Sequence, residues 1–145
     1  MLITLVDGGT WFANGTQLRI EGLSAFQTSN APGVRGINPR QVYVNKHLIL
    51  LGREEDNDIP LDDKTVSRKH CSLVQQGIGW ALLDTSSFGT TILRSKKPSP
   101  MSSNRKLPAD STPIQVNKND TPVPLKNYDY LKIGNIILHL DFSQN

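Results

Sequence analysis

The sequence predicts an all-β fold, a sandwich of short strands. Three observations carry that expectation. Apolar segments are short, rich in Val, Ile, Leu and Thr, and several alternate with polar residues. Gly, Pro, Asn, Asp and Ser separate them at close intervals, as turns require. No window sustains a helical apolar period for three turns, so any helix is brief.

In order, the candidate strands are "LITLV", "TQLRIEG", "QVYVN", "HLILLG", "HCSLVQQ", "WALLD", "TTIL", "PIQVN", "YLKIG" and "IILHLDF". Gly77 and Gly79 bracket Ile78 between two of them, which reads as a hairpin turn. Two stretches read as long loops. Ser24 to Pro39 mixes Gly, Asn, Ser and Pro with little periodicity. Residues 94–112, "RSKKPSPMSSNRKLPADST", carry three prolines and many small polar side chains, and read as a flexible insertion. Strand-like segments resume after it, so 1–145 is expected to be a single domain.

The bulk numbers restrict the function classes. A chain of 145 residues suits one ordinary core, and 37% hydrophobic against 20% charged residues fits neither a membrane protein nor a wholly disordered one. No apolar run approaches the roughly 20 residues that span a bilayer, and "MLITLVDGGTWF" does not read as a signal peptide. No membrane partner is expected. Cys71 is the one cysteine, which excludes an internal disulfide and fits a reducing compartment. Net charge is +3, with a cluster at Arg94, Lys96, Lys97, Arg105 and Lys106. That cluster lacks aromatic residues, so a solvated loop is favoured over direct nucleic-acid binding.

Catalysis and metal binding find little support. His47, His70 and His139 are far apart and lack metal-ligand spacing. Cys71 and His70 alternate to opposite strand faces, which does not make a nucleophile–base pair. The acidic run Glu54, Glu55, Asp56, Asp58, Asp62, Asp63 lacks calcium-loop spacing. The chain is read as no enzyme, with no cofactor and no metal site.

The informative residues lie at segment ends. Gly52-Arg53 closes "HLILL", so Arg53 should emerge where the chain leaves the sheet. Its fork of N–H donors suits phosphate oxygens, although local carboxylates offer it a simpler partner. Ser67-Arg68-Lys69-His70 precedes "CSLV"; a serine there can cap backbone or donate to an anion. His70 is read as bracing the loop. In "DTSSFGT", Ser87 presents a hydroxyl at a tight turn and Gly89 supplies the conformation the turn needs.

In this order and spacing, "GR" at 52–53, "SRKH" at 67–70, "DTSSFGT" at 84–90 and the terminal "NYDYLKIGNIILHLDF" resemble the forkhead-associated (FHA) domain. The resemblance runs from about Val42 to Phe142. It implies a β-sandwich of about eleven strands that binds phosphothreonine peptides with the loops at one end. Arg53 would contact phosphate and Ser67 would donate its hydroxyl to it. Arg68 would contact phosphate or peptide backbone, and Ser87 would add a further hydroxyl. Gly52, His70, Gly89 and Thr90 would hold loop shape. Phe88 departs from the family, where Asn is usual and its amide bonds the peptide main chain. An aromatic there, with "DKTVSRKH" and an FHA domain at the start of the chain, resembles the nibrin-type subunit of double-strand-break repair. That narrower resemblance implies repair-complex partners and a nuclear location, with the cytoplasm as the alternative.

Overall fold

The computed structural model describes residues 1–6, 10–13, 16–19, 31–101, 107–108 and 110–143. The described residues form fourteen strands: β1 (Leu2–Leu5), β2 (Thr10–Ala13), β3 (Thr16–Arg19), β4 (Val34–Asn38), β5 (Gln41–Val44), β6 (Leu48–Gly52), β7 (Ile59–Pro60), β8 (Cys71–Gln76), β9 (Gly79–Asp84), β10 (Thr90–Arg94), β11 (Thr112–Val116), β12 (Val123–Leu125), β13 (Tyr130–Ile133) and β14 (Ile136–Asp141). A seven-stranded sheet has the order β11-β10-β13-β14-β1-β5-β4, and a five-stranded sheet the order β12-β9-β8-β6-β7. β2 and β3 pair as a separate hairpin. Among the described residues there is no helix, so none long and apolar enough to cross a membrane.

Strand alternation decides which side chains meet between the sheets. Ile3 and Leu5, Val42 and Val44, and Leu131 and Ile133 point inward from the larger sheet, with Ile136, Leu138 and Leu140. Ile49 and Leu51, Cys71 and Leu73, and Trp80 and Leu82 answer from the smaller one. Each set skips every second residue, as a pleated strand demands. Fully burying such a side chain contributes roughly 1.5–3 kcal/mol. Cys71 is part of this core, and burial pushes its thiol well above the ordinary range, so it holds no reactive thiolate.

A second, smaller cluster lies on the other face of the large sheet. Val6, Leu93, Tyr130 and Ile137 are buried there, with Met101 and Leu107 of the 94–112 segment packed against them. His139 contacts the Ser99 carbonyl at 3.2 Å, and Ser95 donates to Asp110 at 3.0 Å. The ends of the segment are fixed, because Arg94 of β10 pairs with Thr112 of β11. The flexibility expected for 94–112 concerns in part residues 102–106 and 109, outside those described.

Register also places the loops. Leu51 pairs with Cys71, and Cys71 with Asp84, so the three share one row across β6, β8 and β9. The chain leaves β6 after Gly52, returns at Cys71 and leaves again after Asp84. All three exits lie at the same end of the sandwich.

Candidate functional site: a cationic cleft at the sandwich end

The first loop pair is clamped by backbone. Arg53 N–H donates to the Ser67 carbonyl at 3.0 Å and Glu54 N–H to the Arg68 carbonyl at 3.3 Å. Asn57, buried at 1% exposure, donates its amide to the Glu54 and Arg68 carbonyls at 2.8 and 2.9 Å. Gly52 makes this approach possible, because an added Cβ would lie 2.2 Å from the Arg68 carbonyl oxygen.

His70 ties the second loop to the third. Its Nδ1 accepts the Ser67 backbone N–H at 3.0 Å, so the proton sits on Nε2, which donates to the Gly89 carbonyl at 3.1 Å. Burial holds the His70 imidazole below its ordinary pKa, which keeps this neutral tautomer in place at pH 7. Thr85 adds a side-chain donation to the Lys69 carbonyl at 2.7 Å.

The turn after β9 is built around Asp84, buried at 2% exposure. Its carboxylate accepts the Ser86 hydroxyl at 2.8 Å, the Thr90 hydroxyl at 2.7 Å and the Ser86 N–H at 3.2 Å. Ser86 in turn accepts the Gly89 N–H at 2.8 Å. Gly89 has φ +90°, a conformation that other L residues rarely adopt, and an added Cβ would lie 3.0 Å from the Val116 carbonyl oxygen. Adjacent serines therefore divide the work: Ser86 is buried and spent on the turn, whereas Ser87 is exposed on the cleft.

The cleft, about 760 Å³, is lined by Arg53, Ser67, Arg68, Ser87 and Phe88, with neighbours from the same loops. The Ser67 hydroxyl oxygen accepts the Ser87 N–H at 3.3 Å, which leaves the hydroxyl proton available to an anion. Lys64 and Lys69 add positive charge and Glu54 the one carboxylate. The simpler partner for Arg53 is already occupied: Lys69 binds Asp56 at 2.7 Å and reaches Glu54 at 3.6 Å, and Lys46 binds Asp58 at 2.6 Å. Arg53, Lys64 and Arg68 make no side-chain hydrogen bond or ion pair among the described residues. The cleft thus holds uncompensated positive charge and hydroxyl donors, a combination suited to a multiply charged oxyanion.

Gly52, His70, Gly89 and Thr90 lie beneath the cleft, holding its loops. Sequence reasoning missed Asn57, Asp84 and Ser86. Asn57 was hidden inside an acidic run, and only the Ser-Ser-x-Gly turn following Asp84 hinted at a carboxylate anchor. The basic cluster around Arg94 is also smaller than its sequence suggests. Arg94 is forked onto buried Asp129 at 2.9 and 2.8 Å, so its charge is already compensated. Among the described residues, no group of His, Cys, Asp or Glu could hold a metal.

A β-sandwich with loops from one end converging on a cationic cleft is a scaffold-mounted recognition module. The chain belongs to the FHA domain family, whose model matches residues 49–134, more than half of its length. FHA domains are phosphothreonine-peptide-binding modules with no catalytic activity of their own. Solved structures agree on the fold. Mycobacterium tuberculosis EmbR, solved with a low-affinity phosphopeptide, is 22% identical with a TM-score of 0.51; the match covers 77% of this chain and 24% of EmbR. The Slr1951 protein from Synechocystis is 14% identical with a TM-score of 0.51, covering 99% and 96%. The MEK1 FHA domain, solved with a HOP1 phosphothreonine peptide, is 17% identical with a TM-score of 0.50, covering 78% and 99%. No curated protein matches the chain.

Proposed function

We propose that this chain binds phosphothreonine in a partner protein and acts as a recruitment module, with no catalytic step. The observation that carries the reading is the convergence of Arg53, Ser67, Arg68 and Ser87 on one cleft where, among the described residues, neither arginine has an acidic partner. A phosphothreonine carries close to two negative charges and three strong acceptors at neutral pH. Arg53 supplies the main electrostatic contact, Arg68 a second, and Ser67 and Ser87 satisfy remaining oxygens. Each charge-assisted bond contributes about 1.5–3 kcal/mol. After the cost of ordering a mobile peptide, micromolar affinity follows, roughly −8 kcal/mol.

Titration of a threonine-phosphorylated peptide library and its unphosphorylated counterpart tests the reading. Binding that depends on the phosphate and is lost in Arg53→Ala supports it; equal binding of both libraries contradicts it. The rival, a phosphate-independent scaffold or nucleic-acid binder using 94–106, predicts binding that survives Arg53→Ala. The compensated charge of Arg94 counts against that rival. A nuclear role in double-strand-break repair or checkpoint signalling is the finer part of the proposal. It draws on the resemblance of Phe88 and "DKTVSRKH" to nibrin-type subunits, and is tested by recruitment of the tagged protein to damaged chromatin.

A further inference from the structure

Phe88 is 92% exposed, although it sits at the rim of the cleft that Arg53 and Ser67 line. A large aromatic held in water gains nothing for the fold, and the sandwich core is already closed without it. The turn that presents it is tightly held. Asp84, Ser86 and Thr90 lock it from one side, and His70 bonds the next carbonyl, Gly89 O, at 3.1 Å. The Gln115 amide meets the Phe88 carbonyl itself at 3.4 Å. A rigid backbone with an unpaired ring loses little entropy when that ring is covered, which is the property of an anchor in a recognition surface.

The chemistry of what covers it follows from the surroundings. Arg53, Lys64, Arg68 and Lys69 share the cleft, so a basic side chain brought there for a cation–π contact meets like charge. An acidic side chain finds cations nearby but leaves the ring uncovered. An apolar side chain covers the ring without electrostatic cost. We propose that Phe88 is the specificity-determining residue of this cleft, selecting phosphothreonine peptides that carry a bulky aliphatic or aromatic residue at one flanking position. The inference rests on the phosphothreonine reading.

The test is a positional scan. Phosphothreonine peptides carrying Leu, Phe, Ala, Asp or Arg at each flanking position are titrated against the native protein, Phe88→Ser and Phe88→Leu. The native protein is expected to prefer Leu or Phe over Ala by about ten-fold at one position, the scale of one side chain's apolar burial. Phe88→Ser should erase that preference, bringing its own affinities for the Leu, Phe and Ala peptides to within about two-fold of one another, and Phe88→Leu should restore most of it. The ring's exposure leaves folding unaffected by either substitution. A native profile that is flat, that favours Arg or Asp, or that persists in Phe88→Ser overturns the inference alone. Failure of the native protein to bind any phosphothreonine peptide overturns the function reading as well.

Discussion

Arg53 and Ser67 are joined through their main chains: the Arg53 N–H donates to the Ser67 carbonyl at 3.0 Å. That bond makes two loops, separated by a strand and an acidic run, behave as one surface. Their side chains then line the same cleft, which neither residue could form alone.

Gly52 is the contact point of that surface. Its hydrogen faces the Arg68 carbonyl, where a methyl would stand 2.2 Å from oxygen. Gly52→Ala must push the loops apart, breaking the Arg53–Ser67 bond. We expect a loss of about 1–3 kcal/mol in stability and a weakening of phosphopeptide affinity beyond that of any neighbouring surface change. Denaturant melts and peptide titrations on the same variant check both.

Ser86 and Ser87 should separate stability from binding. Ser86→Ala removes a buried donor to Asp84 and a part-buried acceptor for Gly89 N–H, and should cost about 1–3 kcal/mol. Ser87→Ala leaves the melting temperature unchanged and weakens phosphopeptide binding about ten-fold, the equivalent of one modest hydrogen bond to a charged group. Calorimetry of the two alanine variants, alone and with peptide, reads the contrast directly.

The pH response follows from His70. Burial depresses its folded pKa, so the unfolded chain takes up a proton that the folded chain resists. Stability from this group is complete above its unfolded pKa of about 6.5 and falls as pH drops below that value. Protonated Nδ1 can no longer accept the Ser67 N–H, so the cleft loosens at lower pH still, where the folded ring itself takes up the proton. His139, also depressed by burial, adds to the stability slope but lies away from the cleft. Melting curves from pH 7.5 to 5 should show the decline, and His139→Gln should reduce the slope while leaving the pH dependence of peptide affinity unchanged. An NMR titration placing the His70 imidazole at or above its ordinary pKa contradicts this account.

Core truncation sets the scale for the rest of the molecule. Leu82, fully buried between the sheets, should cost about 2–5 kcal/mol as Leu82→Ala. Phosphopeptide affinity of the remaining folded protein should be unchanged, as measured by titration below the melting range.

Much of the fold was legible because the strands at its centre alternate cleanly. "CSLVQQ" and "WALLD" present every second residue to the core, and the Gly77–Gly79 turn between them is where the hairpin closes. The strands that escaped notice are those with weak burial or breakers. β4 lies within the stretch read as loop; it is an edge strand with mostly exposed residues and an irregular register at Gly36–Asn38. β7 and β12 each contain a proline, tolerated because both are edge strands of the small sheet. β2, at Thr10–Ala13, is too short to alternate visibly. At the candidate site, the exposed residues were legible through spacing. The supports were not, because Asn57 and Asp84 act through contacts with residues far along the chain.

The most direct test of the cleft is NMR shift mapping of the labelled protein with a degenerate phosphothreonine peptide pool. The account predicts the largest perturbations at Arg53, Ser67, Arg68, Ser87 and Phe88, absent with the dephosphorylated pool. Perturbations centred on residues 94–101, or of equal size with both pools, would contradict it.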